Sequence, residues 1–228
     1  MTARKTKAAF EPKTEKKSDA ALKAAVLAAA LKAVPFDGFT NKVLDATSKD
    51  AGADKIQMAR LFPNGPLSLV EAFSDSADDA MEAALAKKKL ATMKVRERIK
   101  TAVWARIEAL RTHKEAARRA GAFLTLPPNA ATGVTLLYRT VDRMWRAVGD
   151  TSTDFNFYTK RAILSGVYSA TLMRWFTDQS DGEADTQAFL DARIENVMQF
   201  EKLKARVKER AAGLPSLSDL LGRFGSRP

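Results

Sequence analysis

The sequence predicts an all-α fold of nine to ten helices, with a small three-helix unit ahead of a larger body of long helices. Three observations carry this expectation. No segment shows the alternation of apolar and polar residues that marks a half-buried strand. Apolar residues recur instead at spacings of three and four, as in Leu22, Val26, Ala29 and Ala33. Sharp breaks separate these stretches at Pro127-Pro128, Gly149-Asp150 and Asp178 to Gly182.

Residues 1–18 are rich in Lys, almost free of large apolar groups and contain Pro12, so a disordered basic tail is expected there. Ser18 then caps a first helix that runs to Pro35. Thr40 opens a second short helix ending near Gly52, and residues 53–62 form a third. Their short lengths and tight turns read as a helix-turn-helix unit over 19–66. Beyond Pro66 the helices lengthen, at about 67–90, 93–111, 114–125, 129–148, 153–177 and 185–211. These form a body over 67–211, and 212–228 remains as a short amphipathic segment.

The helix at 153–177 is apolar nearly all round, which predicts a central position. Along it Ala162, Gly166, Ser169 and Ala170 make a strip of small residues that admits either another helix or a long thin ligand. The preceding helix offers Val134, Leu137, Val141 and Met144 beside it. On the ligand alternative, the lining is Leu137, Val141, Ile163, Gly166, Val167, Ser169, Ala170 and Met173. The last long helix carries an apolar stripe of Phe189, Leu190, Ile194, Val197 and Met198.

The net charge of +11 is unevenly placed. Residues 1–23 hold seven basic against three acidic groups, 87–119 twelve against three, and 201–228 seven against three. Such patches attract polyanions, including nucleic acid, anionic lipid headgroups and acidic proteins. No run approaches the length of a spanning helix, so membrane contact is expected to be peripheral. The first residues lack the apolar core of a signal peptide, and Glu11, Glu15 and Asp19 argue against a transit peptide, so a bacterial cytoplasmic setting is expected.

Little catalytic chemistry is on offer. There is no cysteine, which excludes disulfides and thiolate metal sites. The one histidine, His113, reads as a solvated turn residue beside Arg111 and Lys114. No Glu-x-x-His pair, no Gly-x-Ser-x-Gly and no phosphate-cradling glycine loop occurs, so neither catalysis nor a bound metal or cofactor is expected. DNA binding is the rival reading, because a helix-turn-helix unit is present. Its third helix offers only Lys55, Gln57 and Arg60 to a groove, behind Asp54, and residues 20–66 carry six basic against four acidic groups. Specific DNA binding is therefore not expected.

Residues 141–161 gather Asp142, Met144, Trp145, Phe157, Tyr158 and Arg161 around one helix corner, where Gly149-Asp150 stops one helix and Thr151 with Asp154 reads as a capping box for the next. This corner resembles the signature of the ubiquinone-biosynthesis accessory family Coq-nine, built on the fold of TetR-type regulators. Val34-Pro-Phe-Asp-Gly-Phe-Thr40, Leu124-Thr-Leu-Pro-Pro-Asn129 and Ala188-Phe-Leu-Asp-Ala-Arg193 extend the resemblance over roughly residues 20–200. It implies a non-catalytic protein that binds isoprenoid lipid, a quinone precursor or phospholipid, and presents the precursor to the di-iron demethoxyubiquinone hydroxylase. The six corner residues match the family's docking surface for that enzyme. The family usually has Trp where this chain has Phe157. Further implications are a homodimer formed through the last two body helices, and membrane contact through a detached C-terminal helix. The matching apolar face here is Leu217, Leu220, Leu221 and Phe224. The setting implied is peripheral to the bacterial inner membrane, or the matrix side in a mitochondrion.

Overall fold

The computed structural model describes residues 12–212 except Asp154, and its side chains from Asp19 to Phe200 except Asp154 and Phe155. Among the described residues nine α-helices follow in order: α1 Pro12–Asp37, α2 Asn41–Asp50, α3 Lys55–Leu61, α4 Pro66–Ala86, α5 Val95–Leu110, α6 Lys114–Thr125, α7 Ala130–Ala147, α8 Phe155–Thr177 and α9 Ala184–Ala212. Single turns of 3-10 helix lie at Leu90–Thr92, Arg111–His113, Pro127–Asn129 and Asp181–Glu183. No strand occurs among the described residues. The chain divides into two compact units, one up to Ser165 and one from Gly166, so the division falls inside α8.

The helix ends follow from local chemistry. Thr40 caps α2 by accepting a bond from the Val43 N–H. Asp54 and Gln57 close α3 with a reciprocal capping box. Pro66 occupies the first turn of α4, where its missing N–H costs nothing. One boundary differs from expectation: α1 begins at Pro12 rather than after Ser18 and runs through Pro35 to Asp37. Pro12 fits a first helical position, and Pro35 removes only one bond in the last turn. The remaining tail, residues 1–11, and the segment carrying Leu217, Leu220, Leu221 and Phe224 lie outside the described residues.

In the first unit, α4 supplies Leu69, Val70, Phe73, Ala77, Met81 and Leu85 to the core at helical spacing. Around them are buried Val26, Ala30 and Val34 of α1, Val103 and Ile107 of α5, Ala116 and Ala120 of α6, and Leu136, Val141 and Met144 of α7. Phe39, in the α1–α2 turn, joins these layers, with its ring 6.4 Å from Phe73 and 6.2 Å from Phe123. Burial of such a ring is worth about 1.5–3 kcal/mol over leaving it in water. His113 corrects the sequence reading, since its ring is half-buried and stands edge-on to Phe73 at 6.2 Å.

One buried polar cluster crosses this core. Asp78 of α4 accepts from Arg106 Nε at 2.6 Å and from Thr140 Oγ1 at 3.0 Å. Desolvation pushes the Asp78 carboxyl upward, and the charge and hydrogen bond of Arg106 and the bond of Thr140 only partly offset it. Arg106 Nη2 reaches the Ser74 carbonyl, but Nη1 has no acceptor.

In the second unit, Asp178 ties the end of α8 to the start of α9. It accepts from the backbone and hydroxyl of both Ser180 and Thr186. Although burial opposes this, those bonds hold its carboxyl well below the usual carboxylate range. Trp175 is fully buried and its indole N–H donates to Glu183. On α9 only Leu190 of the apolar stripe is buried, while Met198 is exposed.

Candidate functional site

The corner begins where α7 ends. Gly149 takes φ +89°, a conformation that favours glycine, and this lets the Asp150 N–H reach the Trp145 carbonyl at 2.9 Å. Gly149 N–H reaches the Arg146 carbonyl at 3.0 Å, which completes the paired bonds of a Schellman ending. The expected capping box of α8 turns on Asp154, outside the described residues. The chain re-enters helix with Phe157, Tyr158, Lys160 and Arg161 in its first two turns.

Arg161 is the hub, at 1% exposure. Its Nε donates to Asp142 at 2.6 Å, and its Nη1 to the Phe157 carbonyl at 3.1 Å and to Asp150 at 3.3 Å. The guanidinium lies 3.4 Å over the Phe157 ring. Asp150 also accepts from Lys160 and Ser152, at 2.9 and 2.8 Å. Burial alone would raise the Asp150 carboxyl, yet the Lys160 and Ser152 bonds, the Lys160 charge and the Arg161 bond outweigh it and hold the group below its ordinary value. On the outer side Asp142 pairs with exposed Arg146 at 2.7 Å. Trp145 donates its indole N–H to the Lys160 carbonyl at 3.2 Å, under the Lys160 ammonium.

The six candidate docking residues thus separate into two sets. Met144, Trp145 and Arg161 are buried and form the inside of the corner, so these three do not lie on an exposed docking surface as the family resemblance implied. Positions 141, 144, 145 and 148 repeat at helical spacing and all four face inward. Asp142 and Phe157 are half-buried, and Tyr158 stands out at 66% exposure, its ring edge-on to Phe157 at 5.1 Å. The sequence reading missed Asp150, Lys160 and Arg146, which complete the ion-pair network. Asp150 follows the helix-ending Gly149, and an acid at that position is the signal that was available.

The family described as COQ9 matches the sequence over residues 130–201, which span α7, the corner, α8 and much of α9. A relative titled "Ubiquinone biosynthesis protein COQ9, mitochondrial" from Rattus norvegicus is 31% identical over 90% of this chain and 67% of its own length. The chain belongs to the COQ9 family. The Homo sapiens protein of the same title is 30% identical over 90% of this chain and 66% of its own length. A COQ9-B protein from Xenopus laevis, also titled mitochondrial, is 32% identical over 86% and 69%. The chain therefore spans about two thirds of the length of its mammalian COQ9 relatives. Among solved structures, a TetR transcriptional regulator from Nitrosomonas europaea ATCC 19718 matches with TM-score 0.61 and 17% identity, over 77% of this chain and 97% of that one. The COQ9 chain thus has the all-α, TetR-like fold that its sequence implied.

The candidate lipid lining of this COQ9 chain falls in both compact units. Leu137, Val141 and Ile163 belong to the first, with Val141 buried and the others half-buried. Gly166, Val167, Ser169, Ala170 and Met173 belong to the second; Val167 is buried, Ser169 and Ala170 are half-buried, and Gly166 and Met173 are exposed. Tyr158 and Ala162 in the first unit, and Gly166, Met173 and Thr177 in the second, are exposed, so neither part of α8 is covered all round as expected. A Cβ placed on Gly166 would meet no described atom within 4 Å, so close helix approach is not what requires glycine there.

On α3, two of the three side chains available to a DNA groove are engaged at home. Gln57 accepts from the Asp54 N–H, and Arg60 pairs with Asp19 at 2.5 Å. The basic segment is also partly committed: Arg106 is buried against Asp78, Arg111 pairs with Glu108, and Arg118 and Arg119 pair with Glu115. Among the described residues no group of three His, Cys, Asp or Glu is placed to hold a metal ion, and no helix is long and apolar enough to cross a membrane.

Proposed function

We propose that this chain is a non-catalytic accessory protein of ubiquinone biosynthesis that binds an isoprenoid lipid and presents a polyprenylated quinone precursor to the di-iron demethoxyubiquinone hydroxylase. One observation carries the docking half of this reading: an exposed Tyr158 on Phe157, set upon a corner whose charges are all engaged with one another. Asp142, Asp150, Lys160 and Arg161 are held to one another by ion pairs, which suits a role in shape. An aromatic on a rigid platform surrounded by half-buried polar groups is the composition of an interface hot spot.

The lipid half is supported by family membership and, within the second unit, by exposed Gly166 and Met173 with half-buried Ser169 and Ala170 between them, small residues that leave room for a thin apolar chain. A second copy of the chain would cover the apolar residues of α9, with Met198 and Phe200 exposed. The protein would work at a membrane surface, on the cytoplasmic side of a bacterial inner membrane or the matrix side of a mitochondrial one. The test is native mass spectrometry with organic extraction of the purified protein, followed by a DNA-shift assay at physiological salt. Copurified isoprenoid quinone or phospholipid without a specific shift is the expected result. Salt-resistant, sequence-specific DNA binding would overturn the reading in favour of a lipophile-sensing regulator.

A further inference from the structure

The segment between α4 and α5 holds a concentration of charge that the pairings above do not absorb. Lys87, Lys88, Lys89, Lys94 and Arg96 are all exposed within ten residues, and Glu97 is the one acid between Lys87 and Lys100. Glu97 is already engaged, since its carboxylate accepts the Lys94 N–H at 3.1 Å. Val95, between Lys94 and Arg96, is 59% exposed.

This turn is built rather than loose. Its backbone closes on itself through Lys88 to Leu85, Leu90 to Lys88 and Met93 to Leu90, each near 2.9–3.0 Å. Arg98 braces it from below: Nε donates to the Met93 carbonyl at 2.9 Å and Nη2 to the Ala91 carbonyl at 3.0 Å. The same guanidinium reaches the Val148 carbonyl at 3.4 Å through Nη1. Val148 caps α7 immediately before Gly149, so one side chain joins the basic turn to the docking corner.

We propose that the Lys87–Arg96 turn is the surface by which this protein meets anionic lipid headgroups, and that Arg98 fixes the Tyr158 corner beside that contact. The inference rests on the membrane-side reading above and names the element that makes the contact. A preformed turn bearing five cations lowers the ordering cost of meeting a negative surface, and the exposed aliphatic Val95 between the last two of them suits the headgroup boundary. Single-stranded nucleic acid fits less well, because residues 87–98 contain no aromatic ring to stack on a base, and a duplex backbone has no use for the exposed Val95.

Flotation of the full chain with vesicles of phosphatidylcholine and phosphatidylglycerol, against phosphatidylcholine alone, tests this. Replacing Lys87, Lys88, Lys89, Lys94 and Arg96 together by Gln should lower partitioning to the anionic vesicles by about 100-fold or more, and raised salt should weaken the parent protein in the same direction. Extracted lipid and hydroxylase binding should stay unchanged. If the variant floats as well as the parent, the turn is not the contact, although the accessory reading survives. If the parent ignores anionic vesicles and instead loses binding to a mixed-sequence DNA duplex on substitution, the lipid assignment is overturned together with the membrane side of that reading. The chain has no cysteine, so Val95→Cys and Ile56→Cys variants carry a polarity-sensitive fluorophore at single sites. A blue shift with anionic vesicles at position 95 and none at 56 is expected; equal shifts, or a shift at 56 alone, would contradict the proposal.

Discussion

Arg106 and Arg161 are both buried, at 4% and 1% exposure, and each is held against aspartate, yet the two sites are built to opposite ends. Arg106 faces one carboxylate in the middle of α4, α5 and α7, retains a nitrogen without an acceptor, and leaves Asp78 with a carboxyl raised by desolvation. Arg161 faces two carboxylates, a carbonyl and a ring at a helix end, and Asp150 beside it is held low. The interior cluster tolerates its charge; the corner uses it to define a shape. What distinguishes them is the number of partners, and this decides which one supports a surface side chain such as Tyr158.

The largest effect is expected from removing the hub. Arg161→Met leaves Asp142 and Asp150 without their shared cation and should cost about 3–5 kcal/mol, seen as a Tm roughly 10 °C lower. Arg106→Met should cost less in acid, because Asp78 can take up a proton where burial already favours the neutral form. Equal losses at every pH would erase the distinction between the two sites. Trp145→Ala follows at about 3 kcal/mol, since it empties a buried site and removes the indole bond to the Lys160 carbonyl. A variant as stable as the parent would return Trp145 to the surface.

The pH dependence sharpens the contrast. Asp150 is held below its ordinary value, so its contribution is complete above the ordinary carboxylate range and is lost as pH falls through its depressed folded value. Asp78 is raised, so the native state holds its proton longer and stability falls as pH rises from the ordinary carboxylate range through the raised folded value. In melts between about pH 7 and 3, Asp150→Asn should therefore flatten the acid loss, and Asp78→Asn should steepen it. The same slope in both variants would contradict the assignment. Gly149→Ala is a smaller change, about 1–2 kcal/mol in a denaturant titration; no described atom lies within 4 Å of the added methyl, so the cost is the backbone alone.

The helical punctuation was legible in the sequence. The boundaries of α6 appear at Lys114 and Thr125 as the spacing indicated, and Gly149 ends α7 because only the left-handed turn is compatible with the bonds that follow. The orientation of the corner was less clear, since an aromatic next to a helix break suits either face. Spacing at 141, 144, 145 and 148 contained the answer for Trp145. Asp150 was harder to foresee, because its partners Ser152, Lys160 and Arg161 meet only once the chain has turned. The exposure of Ala162 and Gly166 on α8 was hard to foresee, because small residues look apolar in sequence whether or not anything covers them.

The smallest expected change in stability carries the central claim. Tyr158→Ala, at an exposed position, should leave Tm nearly unchanged, within about 0.5 kcal/mol. Titration of the purified hydroxylase against this variant and the parent protein should then show affinity lower by about 30-fold or more, the loss of one interface anchor. A stable variant that binds the hydroxylase as tightly as the parent would contradict the account of the corner as a docking surface.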